Sequence, residues 1–191
     1  MIIEKKSTKA KVPLESAAIL ARRLRDWLEP ACERIEIAGS IRRRAPEVKD
    51  IELVAIPKPT RDLFGNRNRD SHTIIAKVYD LAQNGNLLLS PEEPLFTKRG
   101  DWYAQFNCFG MKVDLFMTTP EKWGCIYLIR TGSADFSKRM MTKVSRGGDC
   151  PDHLYFKDGR LWEGENALET PEEEDVFRLL GVNWLEPIER F

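Results

Sequence analysis

The sequence is poor in the residues that build zinc sites and disulfide scaffolds. Its four cysteines, Cys32, Cys108, Cys125 and Cys150, are widely scattered with no Cys-x-x-Cys pair, and its two histidines, His72 and His153, lie far from each other. Neither a structural zinc cluster nor a disulfide framework fits that spacing, so the cysteines read as small hydrophobes of the interior. Long apolar runs are missing as well, which excludes a membrane-spanning helix. The opening segment, Met1 to Val12, carries charge where a secretory signal would need an apolar stretch. The expectation is a soluble protein of the cytoplasm, or a viral or phage protein acting in the host cytoplasm. Net charge is absent too, with 30 basic residues against 30 acidic ones.

The charges are unevenly spread. Arg42-Arg43-Arg44 follows a Gly-Ser pair, and Arg130, Lys138, Arg139, Lys143 and Arg146 recur with only Asp135 opposing them, whereas every charged residue from Glu163 to Asp175 is acidic. A neutral sum with basic stripes suits a protein that touches phosphate locally. The chain of 191 residues is long enough for one ordinary domain or two small lobes sharing a cleft.

Apolar residues at helical spacing (Leu14, Ala17, Ala18, Ala21, Leu24, Leu28) predict a helix over Pro13–Leu28, stopped by Pro30. Strands are predicted over Ile35–Ala38, which runs into Gly39-Ser40, and over Asp50–Ile56, bounded by Pro57 and Pro59. Ser71 is expected to cap a helix reaching about Leu81. A β-hairpin is predicted from Trp102 to Met117, turning between Asn107 and Gly110. Past Pro120 the pattern changes: helices over Glu121–Arg130 and Ser133–Val144, a hairpin around Lys157-Asp158-Gly159, and a helix opened by Thr170-Pro171 and ended by Gly181. This divides the chain at residues 1–119 and 120–191.

On a strand, side chains alternate faces, so Asp50 and Glu52 share one face while Ile51 and Leu53 take the other. An isolated Asp-x-Glu is most often a solvated strand face. Asp114 changes the weighting, because it lies mid-strand between Val113 and Leu115, where an acid is costly unless it is paired or bound to metal. Three carboxylates from adjacent strands supply the hard oxygen ligands that Mg²⁺ needs. Two such ions about 4 Å apart can activate an attacking hydroxyl and stabilise a leaving pyrophosphate, which makes phosphoryl transfer the expected reaction. Gly39 and Ser40 offer a tight turn to phosphate oxygens, followed by the bidentate donors of Arg42 and Arg43. A lone Gly-Ser or an Arg triplet is a weak signal. The order strand, Gly-Ser, Arg-Arg and then Asp-x-Glu is far more specific.

The stretch from Ala38 to Glu52, Ala-Gly-Ser-Ile-Arg-Arg-Arg-Ala-Pro-Glu-Val-Lys-Asp-Ile-Glu, resembles the metal-binding motif of the family X DNA polymerases. Val113-Asp114-Leu115 resembles the strand of the third carboxylate, Thr131 to Met140 the Thr-Gly-Ser segment and the helix lining the nascent base pair, and Glu169 to Arg190 the end of the nucleotide-closing subdomain. The resemblance runs from about Ile35 onward. It implies an α+β fold, with a nucleotidyltransferase palm (a mixed β-sheet with flanking helices) followed by a small C-terminal α/β lobe that closes over primer, template and incoming dNTP. It also implies that Asp50 and Glu52 bridge two Mg²⁺ ions, with Mn²⁺ as a possible substitute, and that Asp114 holds the ion beside the primer hydroxyl and helps accept its proton. Ser40 and Arg43, with Gly39 and Arg42, would bind the triphosphate. Arg130, Thr131, Gly132 and Ser137 would surround the nucleotide's sugar and base, and Lys138, Arg139 and Arg146 would face the DNA backbone. The expected partner is a primer-template or gapped DNA and the expected state a monomer.

Two departures stand out. Glu52 occupies a place usually held by Asp, and Ile129-Arg130 precedes Thr-Gly-Ser where an aromatic pair is usual, so discrimination against ribonucleotides is in question. About 34 residues precede the first strand, so the family's N-terminal lyase domain is not expected, and neither is a firm grip on downstream DNA. A non-templated nucleotidyltransferase acting on RNA, protein or a small molecule shares the first motif but has no use for the segment after Pro120. A non-catalytic nucleic-acid-binding module would rely on the basic helix alone. Its binding would survive EDTA and fall steeply with salt, and the presence of all three acids argues against it.

Overall fold

A computed structural model of the chain describes residues 11–61, 67–68, 71–87 and 94–191. Helix α1 (Leu14–Leu28) turns Ala17, Ala21, Leu24 and Leu28 wholly inward at three- and four-residue spacing. It leads through a single 3₁₀ turn containing Pro30 into strand β1 (Cys32–Ile37). A one-turn helix, α2 (Gly39–Arg42), links β1 to β2 (Asp50–Pro57), and helix α3 (His72–Gln83) follows. Strands β3 (Phe96–Arg99), β4 (Tyr103–Cys108) and β5 (Met111–Met117) complete a mixed sheet of order β1-β2-β5-β4-β3. Its central pair, β2 with β5, is parallel, and its other neighbours are antiparallel.

One face of this sheet is apolar from end to end. Ile51, Leu53, Ala55, Phe106, Val113 and Leu115 point into a core closed by α1 and α3. The other face is divided. Val54, Ile56 and Phe116 meet Trp123 and Tyr127 of helix α4 (Trp123–Thr131), and this cluster forms the seam between the sheet and the C-terminal part. The polar remainder of that face, Asp50, Glu52, Lys112, Asp114 and Gln105, is left to the site.

The C-terminal part has its own core around Leu128, Phe136, Met140, Leu161, Val176 and Phe177. It comprises α4, α5 (Ala134–Met141), the strands β6 (Leu154–Lys157), β7 (Arg160–Glu163) and β8 (Asn166–Leu168), and α6 (Glu173–Leu180). Gly124 is needed at the seam: its N–H donates to Thr170 O at 2.6 Å, and a Cβ there would lie 2.0 Å from Glu172 O. Among the described residues no helix is long and apolar enough to cross a membrane.

The expected elements form, with shifted boundaries. Ser71 precedes α3 but makes no capping hydrogen bond. Residues 120–122 form a 3₁₀ turn ahead of α4. The helix expected over Ser133–Val144 ends at Met141, because Thr142 is extended and turns its hydroxyl back onto Lys138 O at 2.6 Å; Gly147 instead ends a separate 3₁₀ turn, Val144–Arg146. Thr170 does not cap α6: its buried hydroxyl donates to Cys125 Sγ, and Glu172 caps the helix through a reciprocal box with Asp175. The hairpin turn falls at Phe109-Gly110, both with positive φ, and Gly181 ends α6 in the left-handed conformation. The edge strands β3 and β8 are additions that the sequence patterns did not suggest.

Candidate active site

Strand alternation and register build the site. Parallel pairing sets Asp50 beside Lys112 and Glu52 beside Asp114, and the antiparallel neighbour sets Gln105 beside Asp114. Asp50, Glu52 and Asp114 therefore stand on one face at the open end of the sheet. Asp114 is 6 % exposed. Its Oδ1 accepts from Tyr103 Oη at 2.6 Å and Gln105 Nε2 at 2.7 Å, while its Oδ2 lies 2.8 Å from Lys112 Nζ. The same ammonium is 2.7 Å from Asp50 Oδ2.

The electrostatics differ from one acid to the next. Burial would raise the carboxyl pKa of Asp114, but hydrogen bonds from Gln105, Lys112 and Tyr103 outweigh burial and hold it below its ordinary value. Glu52 moves the other way, up to about 7, because it is buried beside the negative charges of Asp50 and Asp114, and Arg130 and Arg43 offset this only in part. Burial and the hydrogen bond to Asp114 push the Tyr103 phenol up to about 12.

Glu52 also explains Gly39. That residue has φ +62°, and a Cβ on it would lie 1.8 Å from Glu52 Oε2. The glycine opens α2 in a conformation that other residues rarely take and leaves room for the carboxylate.

Two cavities meet at Glu52 and Arg130. The first, about 840 Å³, holds Lys112, Asp114, Tyr103 and Gln105 with Lys98 and the 45 %-exposed Trp102. The second, about 810 Å³, is lined by Ser40, Arg43, Asp50, Gly132, Ser137 and Lys138 among others. Ser40 Oγ and Arg43 Nε are buried there without a hydrogen-bond partner, so both can serve an incoming anion. Arg43 Nη1 donates to Thr131 O at 2.5 Å, and Ser137 Oγ donates to Ile129 O at 2.8 Å. The Arg130 guanidinium lies 3.9 Å from the centre of the Phe116 ring, and burial lowers its pKa against the pull of Glu52 and Asp114.

Not every expected residue joins this group. Arg42 makes a two-pronged pair with Glu173 at 2.8 and 2.6 Å, donates to Thr131 Oγ1 at 2.7 Å and stacks on Tyr127 at 3.8 Å. It ties the sheet to α6 and does not line either cavity. The Thr131 side chain is fully buried in that same tie. Arg139 pairs at the surface with Asp149 at 2.8 Å, and Arg146 closes the Val144–Arg146 turn. A parallel tie links Arg34, stacked on Trp123, to Glu172 at 2.7 and 2.9 Å.

Sequence reasoning missed Lys112, Tyr103 and Gln105. Lys112 stands two residues before Asp114, so the alternation that grouped Asp50 with Glu52 also placed this lysine on the acidic face. Gln105 and Tyr103 become visible only through the β4–β5 register.

The donors fit hard divalent cations in kind: three carboxylates, one of them carrying an uncompensated charge that burial and its neighbours resist. Among the described residues, however, no group of three or more His, Cys, Asp or Glu side chains is arranged so that it could hold a metal ion.

No curated protein matches the chain. Residues 126–191 match the family model for the DNA polymerase beta thumb. This segment begins within α4 and contains α5, the three short strands and α6. The match covers the thumb alone, so it is the C-terminal part of the chain that is similar to the polymerase beta family.

Proposed function

We propose that the protein is a DNA-directed DNA polymerase that adds dNTPs to a primer 3′-hydroxyl and fills short gaps during DNA repair. One observation carries the reading: the three carboxylates stand between two cavities at the open end of a sheet whose other end is fixed to a polymerase beta-type thumb. Residues 1–119 are then the catalytic domain and residues 120–191 the nucleotide-closing domain of a monomer working in the cytoplasm.

In this reading Asp50, Glu52 and Asp114 would hold two Mg²⁺ ions. When bound, these supply Lewis-acid activation of the primer hydroxyl and neutralise charge on the leaving pyrophosphate. Ser40 and Arg43 would take the triphosphate in the second cavity, where the orphaned Ser40 Oγ and Arg43 Nε support the assignment. Gly39 keeps the backbone of α2 close to Glu52 and that cavity. Gly132 and Ser137, on the cavity's other wall, would position the sugar and base, with Arg130 at the junction of the two cavities. The primer terminus would enter the first cavity, where Asp114 would hold the ion beside the hydroxyl and help accept its proton. Lys138 lines the second cavity and would face the DNA backbone with Arg139 and Arg146. Arg42 and Thr131 support the nucleotide site indirectly, by holding the thumb to the sheet.

The test is extension of a labelled primer across a one-nucleotide gap, with each dNTP supplied separately with Mg²⁺. Templated addition of one base, lost with EDTA and in Asp50→Ala/Asp114→Ala, is the expected result. No extension on gapped or primed DNA while nucleotide still binds would sink the polymerase reading in favour of a non-templated nucleotidyltransferase.

A further inference from the structure

We propose that Lys112 is the resident counter-ion of the acidic site, and that its ammonium competes with a divalent cation for Asp50 and Asp114. The inference rests on the metal-site reading above and adds a residue that tunes it. Asp114 is saturated: Tyr103 and Gln105 share its Oδ1, which leaves Oδ2 as the oxygen on which a cation could act, and Lys112 Nζ is 2.8 Å from it. The same nitrogen is 2.7 Å from Asp50 Oδ2.

A magnesium ion would take these oxygens at roughly 2.0–2.1 Å through their remaining lone pairs, which sets a second cation near the ammonium in a half-buried site. Metal and Lys112 therefore repel, and each weakens the hold of the acids on the other. In the arrangement seen here the ammonium balances two carboxylates that would otherwise repel. Loading the metal favours a Lys112 that swings away into the first cavity, which it already lines. The other cations near the acids are placed differently: Arg43 acts on Glu52, and Arg130 acts on Glu52 first and on Asp114 second, whereas the ion pairs of Asp50 and Asp114 go to Lys112.

The experiment is a Mn²⁺ titration of the full chain without nucleotide or DNA, followed by calorimetry and by the loss of the free Mn²⁺ spin-resonance signal. Lys112→Met should bind Mn²⁺ about tenfold or more tightly than the parent, as expected when a like charge a few ångströms from the ion is removed in a half-buried site. Lys112→Arg, which keeps the charge, should bind no more tightly than the parent. Lys98→Met removes a positive charge from the same cavity and should change affinity far less than Lys112→Met does. Equal affinity of Lys112→Met and parent, or an equal gain in Lys98→Met, overturns the proposal. Asp114→Asn separates the two levels: if it leaves Mn²⁺ binding unchanged, the metal-site reading itself fails, whereas weakened binding with no gain in Lys112→Met removes the Lys112 inference alone.

Discussion

The two ends of one sheet face have opposite fates. At one end Val54, Ile56 and Phe116 are covered by Trp123 and Tyr127, and two arginines from the sheet region, Arg34 and Arg42, lie on those aromatic rings and reach Glu172 and Glu173 at the start of α6. At the other end the same alternation presents Asp50, Glu52 and Asp114 to two cavities. Strand β2 supplies both halves: its apolar residues anchor the thumb, and that anchoring leaves the acidic residues beside an open cleft. The packed seam at the closed end and the cavity walls at the open end are products of a single eight-residue strand.

The comparison breaks most severely at Glu173. This residue is 3 % exposed and accepts from Arg42 and from the fully buried Arg190, the latter at 2.7 Å. Glu173→Ala leaves two guanidinium groups without their carboxylate and should destabilise the protein by about 3–5 kcal/mol in denaturant unfolding. A loss below about 1 kcal/mol would show that the closed end does not depend on this clamp.

The open end should reveal itself through pH. Glu52 ionises near 4.5 in a free chain and near 7 in the fold. Across that window the native state keeps a proton that the unfolded chain releases, so stability falls as pH rises, by about 1–3 kcal/mol, and Glu52→Gln should lack this fall. Unfolding curves of both proteins from pH 4 to pH 8 decide it. Parallel curves would remove the charge conflict assigned to the acidic end.

Gly39 lies between the two ends. Gly39→Ala meets both a left-handed backbone and the Glu52 carboxylate, so it should cost about 1–2 kcal/mol from the backbone alone, and it should lower extension activity further by displacing Glu52. Arg139 serves as the control outside both regions. Its pair with Asp149 is half exposed on the arginine side, at 49 %, and Arg139→Ala should change stability by less than about 1 kcal/mol.

The sequence made much of this arrangement legible. Alternation over 50–56 and 111–117 placed the three acids on strands, and the Asn107–Gly110 stretch located the turn between β4 and β5. Parallel pairing of β2 with β5 is a long-range choice that no local pattern states, and with it stays hidden the bridge from Lys112 to Asp50, while the Tyr103 and Gln105 partners of Asp114 wait on the β4–β5 register. Arg42 read as a phosphate ligand because its neighbours Ser40 and Arg43 have that chemistry; only the packing of α6 shows that Glu173 claims it. Thr170 and Ser71 look like helix caps by residue type, yet one is taken by Cys125 and the other makes no capping bond.

The parallel pairing has a kinetic consequence as well. Asp50 and Glu52 are held together by their own strand from the moment it extends, but Asp114 joins them only when β5 docks beside β2, after the chain between them has looped back. Loops of that kind close late, because their entropy is lost before the pairing rewards it. By the same reasoning a folding chain would acquire its third carboxylate after the hairpin that carries it, and before the ties of Arg34 and Arg42 to α6, which span 138 and 131 residues.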